Sequence, residues 1–263
     1  MARAPRLPRE VPWTWALAGG ICGLVLAFVL FAPARWLAGA VARASAGQVL
    51  LDDARGTVWD GSAQLVLTGG AGSTDSAALP GRVHWTLAPR WDGVLARLRA
   101  DCCMASPLGV RARARWGGVD VDVADSVSQW PASVAAGLGT PWNTLQFDGE
   151  LRLSTQGLSV EWVEGRPVVS GRAELLALRI ASRLSTLRPM GSYRITLQGG
   201  PQATLRLETL DGSLQLTGSG QWVGSRLRFR GEATAAPERE AALANLLNII
   251  GRRSGARSII SIG

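Results

Sequence analysis

The chain has 263 residues, 47% of them hydrophobic, and a formal net charge of +8 carried by 28 basic residues, all of them arginine. Those arginines are spread along the sequence rather than gathered in one block, which argues against a nucleic-acid-binding arm. A single histidine and three cysteines leave little material for a metal centre or a histidine-based catalytic set.

The first element is an anchor. From Val11 to Ala34 there is no charged residue, and the apolar heart runs from Trp13 to Phe31. As a helix those 19 residues span roughly 28 Å, about one bilayer core. Trp13 and Trp15 lie at one end and Trp36 at the other, where indoles favour the headgroup level. Arg3, Arg6 and Arg9 precede the span, so the positive-inside bias keeps the short tail 1–10 in the cytoplasm and sends the rest across. A cleaved signal peptide, with Ala42-Arg43-Ala44 as the cut site, is the competing reading. The span is longer than the ~7–15 residues of a signal's apolar region, which favours a retained anchor over 11–34, a linker over 35–48 and an exported domain over 49–263.

In that domain the hydrophobic period is two. Ser62–Leu67, Arg82–Leu87, Ser192–Leu197, Ala203–Leu207 and Ser213–Leu216 read as strands. Gly149–Leu153 and Leu158–Trp162, separated by Thr155-Gln156-Gly157, read as a hairpin. Arg226, Arg228 and Arg230 share one strand face, opposite Leu227 and Phe229. A loose pattern of glycine followed four residues later by leucine recurs at Gly61, Gly149, Gly171 and Gly212. Its intervals are irregular, so it marks strands that start after glycine turns rather than a solenoid repeat.

Two helices are expected. Asp125–Ala136 is interrupted by Pro131. Pro237–Ile250 has Pro237 at its first position, Glu238 and Glu240 near its N-terminus, and an apolar stripe of Leu243, Leu246, Leu247 and Ile250. Gly251 ends it, with Arg252 and Arg253 at its negative end. The stripe is expected to cover the sheet, and Ser258–Ile262 to form a last edge strand.

Candidate chemistry is sparse. His84 sits in an alternating strand without a serine–aspartate signature around it. Asp120 and Asp122 share a strand face, and paired carboxylates can do acid–base work, but solvating that face is the simpler role. No catalytic, cofactor-binding or metal-binding residue is assigned, and no cofactor. Arg111, Arg113 and Arg115 form the most basic local feature. With Arg226, Arg228 and Arg230 they are the candidate interaction surface, suited to acidic headgroups or an acidic protein. Cys22 lies in the span. Cys102 and Cys103 are neighbours that could be reduced, bonded to each other in an unusual local geometry, or paired with another chain.

Several segments, taken in order, resemble the type II secretion system protein N family (general secretion pathway protein N). They are Gly56–Ala63, Leu79–Trp85, Leu153–Trp162, Ser185–Tyr193, Gly212–Trp222, and the tail from Phe229 through Arg253. Residues 91–145 carry none of the match, and Met190 stands where leucine is expected. The resemblance implies a non-enzymatic accessory subunit of the machine that exports folded proteins across the outer membrane of Gram-negative bacteria. It implies a single-pass inner-membrane protein whose partners are other secretion subunits and inner-membrane lipids, with no nucleic acid or small-molecule substrate. Gly56, Trp59, Asp60, Gly61, Pro80, Gly81, Trp85, Trp162, Pro189, Gly191, Gly212, Trp222 and Gly231 are then fold determinants, glycines for turns and tryptophans for packing. The expected fold is mainly β: one transmembrane helix, then a periplasmic domain of curved antiparallel sheet with a C-terminal amphipathic helix. A dry sheet face behind one anchor is also similar to AsmA-like lipid-bridge proteins, which makes a lipid-binding groove the second reading. A hydrolase built on His84, Asp120 and Asp122 is a remote third.

Overall fold

The structure is a computed structural model that describes residues 13–70, 72–163, 166–224 and 226–263. The tail 1–10 and its arginines lie outside the described residues.

The apolar run forms helix α1 (Trp13–Leu30), none of whose residues is buried. It is long and apolar enough to cross a membrane. The chain then turns through Pro33 into a second helix, α2 (Ala34–Ala44). Most of the span expected to be a linker, 35–48, is therefore helical. Its apolar stripe explains this: Ala34 and Leu37 pack against Leu51, Ala63 and Trp85 of the sheet, so burial rather than propensity alone holds the helix.

Everything else is organised by one sheet of sixteen strands. These are β1 (Val49–Gly56), β2 (Asp60–Thr68), β3 (Ser76–Ala78), β4 (Val83–Arg90), β5 (Gly93–Ala100), β6 (Leu108–Arg115), β7 (Gly118–Val123) and β8 (Ser126–Pro131), then β9 (Phe147–Val163), β10 (Arg166–Ser182), β11 (Gly191–Gln198), β12 (Thr204–Gly212), β13 (Leu214–Val223), β14 (Arg226–Ala235), β15 (Arg252–Ser254) and β16 (Arg257–Ile262). Their order is β1-β2-β4-β5-β6-β7-β9-β10-β11-β12-β13-β14-β16-β15, with β3 on β2 and β8 on β9. Neighbours pair antiparallel throughout, as in β4 with β5 and β13 with β14. This is the mainly β architecture that the period of two implies.

The expected hairpin over 149–162 is instead one continuous strand. β9 pairs with β10 along its whole length. Its first half pairs on the other side with β8 and its second half with β7. At Gln156–Gly157 the register with β10 shifts, and Gly157 takes a positive φ of 55°. That is a β-bulge: one extra residue flips the phase of the alternation. A glycine at a phase break reads locally like a turn.

The expected helix over 125–136 is overturned as well. Ser126–Pro131 is β8, and Ala132–Leu138 is a 3-10 segment. Trp130 packs toward Leu79 and Cys103, so tertiary burial overrides a weak helical pattern broken by proline. A short helix, α3 (Trp142–Leu145), follows.

The C-terminal helix α4 runs Glu240–Ile250 with Arg239 at its N-cap, so Pro237 lies before the helix rather than at its first position. Arg252 and Arg253 belong to β15 and not to the helix end. That short strand pairs outside β16, which makes β15, and not 258–262, the edge. An edge of three residues with two arginines is a poor template for further pairing.

Cross-strand register sorts the side chains into two faces. Ala63, Trp85, Leu98, Val110, Val121, Val160, Ile195, Leu207, Leu216 and Ala233 lie on the inner face. α4 covers one end of it: Leu243, Leu246 and Leu247 are buried against Met190, Tyr193, Leu214 and Ala233. Burying three leucines contributes on the order of 1.5–3 kcal/mol each. The loop before β11 is tied to the helix, since Ser185 Oγ donates to the Ala242 carbonyl at 3.1 Å.

Candidate functional site

The motif glycines fall at turns or at close approaches of backbone. Gly212, at the end of β12, has φ +115°, and a Cβ there would collide with the Cα of Gly191 and the carbonyl of Met190. The Gly191↔Gly212 pair is thus a place where two backbones meet with no room for side chains. Gly61 lies under the Trp85 ring, and Gly218 and Gly231 lie under the Phe229 ring, so each aromatic is seated on bare backbone. Gly56 and Gly81 take positive φ at the turns flanking β2 and β4. Pro80 is exposed beside the latter, and Pro189 lies two residues before β11.

Two tryptophans act through their indole N–H. Trp85 Nε1 donates to the Val58 carbonyl at 3.0 Å. Trp59 Nε1 donates to the Val29 carbonyl at 2.7 Å, which ties the β1–β2 turn to the end of α1. The same junction carries the Val58 N–H to Ala32 carbonyl bond at 2.8 Å and a backbone bridge between Pro33 and Thr57. Asp60 lends its carbonyl to the Thr57 N–H at 2.7 Å. Trp222 is half-buried on the inner face, and Trp162, on the same face, is 46% exposed.

Arg82 locks an irregular stretch of β1. Its guanidinium reaches the Asp53 carboxylate at 2.9 Å and the Asp53 carbonyl at 2.7 Å. Asp53 has a positive φ of 46°, and the register with β2 shifts between Asp52 and Arg55. Hydrogen bonds from Arg55 and then Arg82 hold the Asp53 carboxyl below the usual carboxylate range.

Asp120 and Asp122 are brought together not with each other but with the arginine ladder. β6 and β7 are paired neighbours, and both sets project to the outer face. Arg113 pairs with Asp122, and Arg115 Nε with Asp120 Oδ2 at 2.6 Å. The two features that looked separate are one cross-strand network, and the carboxylates solvate arginines rather than face a cavity. Arg111 stands exposed at the head of the same ladder. His84 Nε2 lies 3.2 Å from Asp101 Oδ2, both side chains about half exposed.

Arg226, Arg228 and Arg230 are exposed on the outer face of β14. Arg230 borders a shallow trough of ≈ 540 Å³ with Arg206, Glu208, Thr217, Ser219, Glu232 and Ile259. Both charge signs and two hydroxyls line it, an arrangement suited to a polar partner surface. Sequence reasoning missed this trough, because Arg206, Ser219 and Arg230 meet only through strand pairing. Cys102 and Cys103 are bonded to each other.

Comparison with curated proteins and with solved structures gives no match. A family model, type II secretion system (T2SS), protein N, matches residues 47–260. The match begins just before β1 and ends in β16, so it takes in the whole sheet and the helix α4 that packs on it. The chain belongs to the type II secretion system protein N family.

Proposed function

We propose that this protein is a non-catalytic accessory subunit of a type II secretion system, held in the inner membrane by α1, with its sheet on the periplasmic side. The observation that carries this reading is the family match over the entire sheet. A membrane-length helix joined directly to that sheet through Trp59 and Val58 supports the anchored placement. Its role is structural: the outer-face arginines Arg111, Arg226, Arg228 and Arg230 offer polar contacts to other secretion subunits. In this reading the tail 1–10 lies in the cytoplasm. Crosslinking in cells, scanned along both arginine ladders and α4, tests it. Crosslinks to inner-membrane secretion subunits are expected, together with impaired export in a deletion strain. Normal export of every substrate and no such association would overturn it.

A second reading, lipid binding on the inner face, has its own observation. α4 covers only one end of that face, and Trp162 stays 46% exposed beyond it. Co-purifying phospholipid in native mass spectra of the detergent-free domain would favour it. An empty protein would end it.

A further inference from the structure

The exit of the anchor and two hairpin tips lie at the same end of the strands. α1 ends at Leu30, and its exit is stitched to the β1–β2 turn by Trp59 and Val58. Through the pairing of Asp60 with Thr86 and of the Leu87 N–H with the Trp59 carbonyl, that turn lies level with the middle of β4. β4 then runs on to Arg90 and turns at Trp91. Four residues past Leu87 is ~13 Å of extended chain, so the β4–β5 tip projects beyond the anchor's exit. The register Gly93↔Arg113, with β6 running on to pair Arg115 with Gly118, carries the β6–β7 tip, with Trp116, at least as far.

What stands on these tips is unusual for a water-facing turn. Trp91 is 98% exposed and Trp116 106%, and each follows an arginine, Arg90 and Arg115. Val94, Val119 and Trp162 beside them are also exposed. Single exposed apolar residues are ordinary, but a group at one end of a sheet marks a contact surface. Tryptophan next to arginine is the composition of the bilayer interface, where the indole sits among headgroups and the guanidinium meets phosphate. α1 meanwhile buries none of its side chains against the sheet, so the helix stands clear of the domain.

We infer that the β4–β5 and β6–β7 tips rest in the interface of the membrane that α1 crosses, with Trp91 and Trp116 seated among the lipid headgroups. The inference rests on α1 being a membrane anchor. The anchor and the tips together are a multi-point support that sets the angle of the sheet to the bilayer.

The test uses the full chain reconstituted in two sets of vesicles of phosphatidylethanolamine and phosphatidylglycerol, one containing a lipid with a nitroxide at a shallow position, read at the tips, and one containing a lipid with a nitroxide near the bilayer centre, read at Cys22, which lies at the middle of α1. One environment-sensitive fluorophore is attached per chain: at native Cys22, or, in a Cys22→Ala background with the disulfide left oxidised, at Trp91→Cys, Trp116→Cys or Ser106→Cys. Asp92→Cys is a second reporter on the first tip should Trp91→Cys not fold. Ser106 lies in the loop at the opposite end of the strands. Loss of fluorescence at both tips and none at Ser106→Cys is the expected result. Quenching at Cys22 with both tips unquenched would overturn the inference, leave the anchor intact and assign the tips to a protein partner. No quenching at Cys22 would mean that the anchor reading itself had failed.

Discussion

Trp59 and Val29 are thirty positions apart and joined by a 2.7 Å hydrogen bond from the indole N–H to the backbone carbonyl. The acceptor lies in the last turn of α1, where carbonyls have no partner within the helix. Trp59→Phe keeps the ring and removes the donor, at a cost of about 1 kcal/mol. Faster hydrogen exchange at the amides of residues 56–60, with the rest of the sheet unchanged, is the expected reading. Unaltered exchange there would show that the Val58–Ala32 and Pro33–Thr57 contacts suffice.

Leu246 and Leu247 are fully buried on the sheet-facing side of α4. Leu246→Ala is expected to destabilise the protein by about 2–5 kcal/mol. For a domain of this size that lowers Tm by ~2–4 °C per kcal/mol. Ile249→Ala, on the exposed side of the same helix, should leave Tm nearly unchanged. Equal effects in thermal unfolding would mean that α4 does not dock as described.

Tyr193 is the one tyrosine in the chain, so tyrosinate absorbance reports it alone. Burial, and then the nearby charge of Asp211, pushes its pKa up, and its hydroxyl donates to the Leu214 carbonyl at 3.1 Å. A raised pKa means that its contribution to stability is complete below the unfolded value of about 10 and is lost as pH rises further. In an alkaline titration followed by absorbance and circular dichroism together, tyrosinate should appear only as the sheet unfolds. Ionisation near the ordinary value with the sheet intact would contradict the burial.

Asp120 and Asp122 make similar pairs in different settings. The Asp120 side chain is 9% exposed and that of Asp122 41%. Exposed pairs are worth about 0–1 kcal/mol, so Asp122→Asn should be close to neutral. Asp120→Asn, which also disturbs a sheltered group, should cost more, on the order of 1–2 kcal/mol. Denaturant midpoints compare the two, and the reverse order would contradict the described geometry.

The Cys102–Cys103 bond predicts a chain that stays monomeric on a non-reducing gel. Without reductant an alkylating reagent should modify only Cys22, and with reductant all three cysteines. A disulfide-linked dimer that persists in a Cys22→Ala chain would mean that the two sulfurs pair between chains instead.

Much of this fold is readable from local periodicity. Alternating residues such as Arg82–Leu87 and Ser192–Leu197 become strands because a half-buried strand can satisfy that pattern with one dry face, and the stripe of Leu243, Leu246 and Leu247 becomes a helix face for the same kind of reason. The long charge-free run from Val11 sets the membrane-length helix by composition alone. Where local signals mislead, the missing information is the partner. A glycine at a phase break is a turn or a bulge depending on what lies alongside, and β10, paired with both halves, makes Gly157 a bulge. Ser126–Pro131 is a strand because the first half of β9 offers an edge. The interaction surface was legible as side chains but not as an arrangement. The arginines of β6 stand out in the sequence, yet only pairing with β7 shows that Arg113 and Arg115 are held by Asp122 and Asp120. In the same way the sequence by itself determined that Trp91 and Trp116 exist beside arginines, while the register running from Trp59 through β4 to β7 decided that both project past the end of α1. Side-chain type and period are local properties of a chain; which end of a sheet faces the bilayer depends on contacts between residues far apart in it.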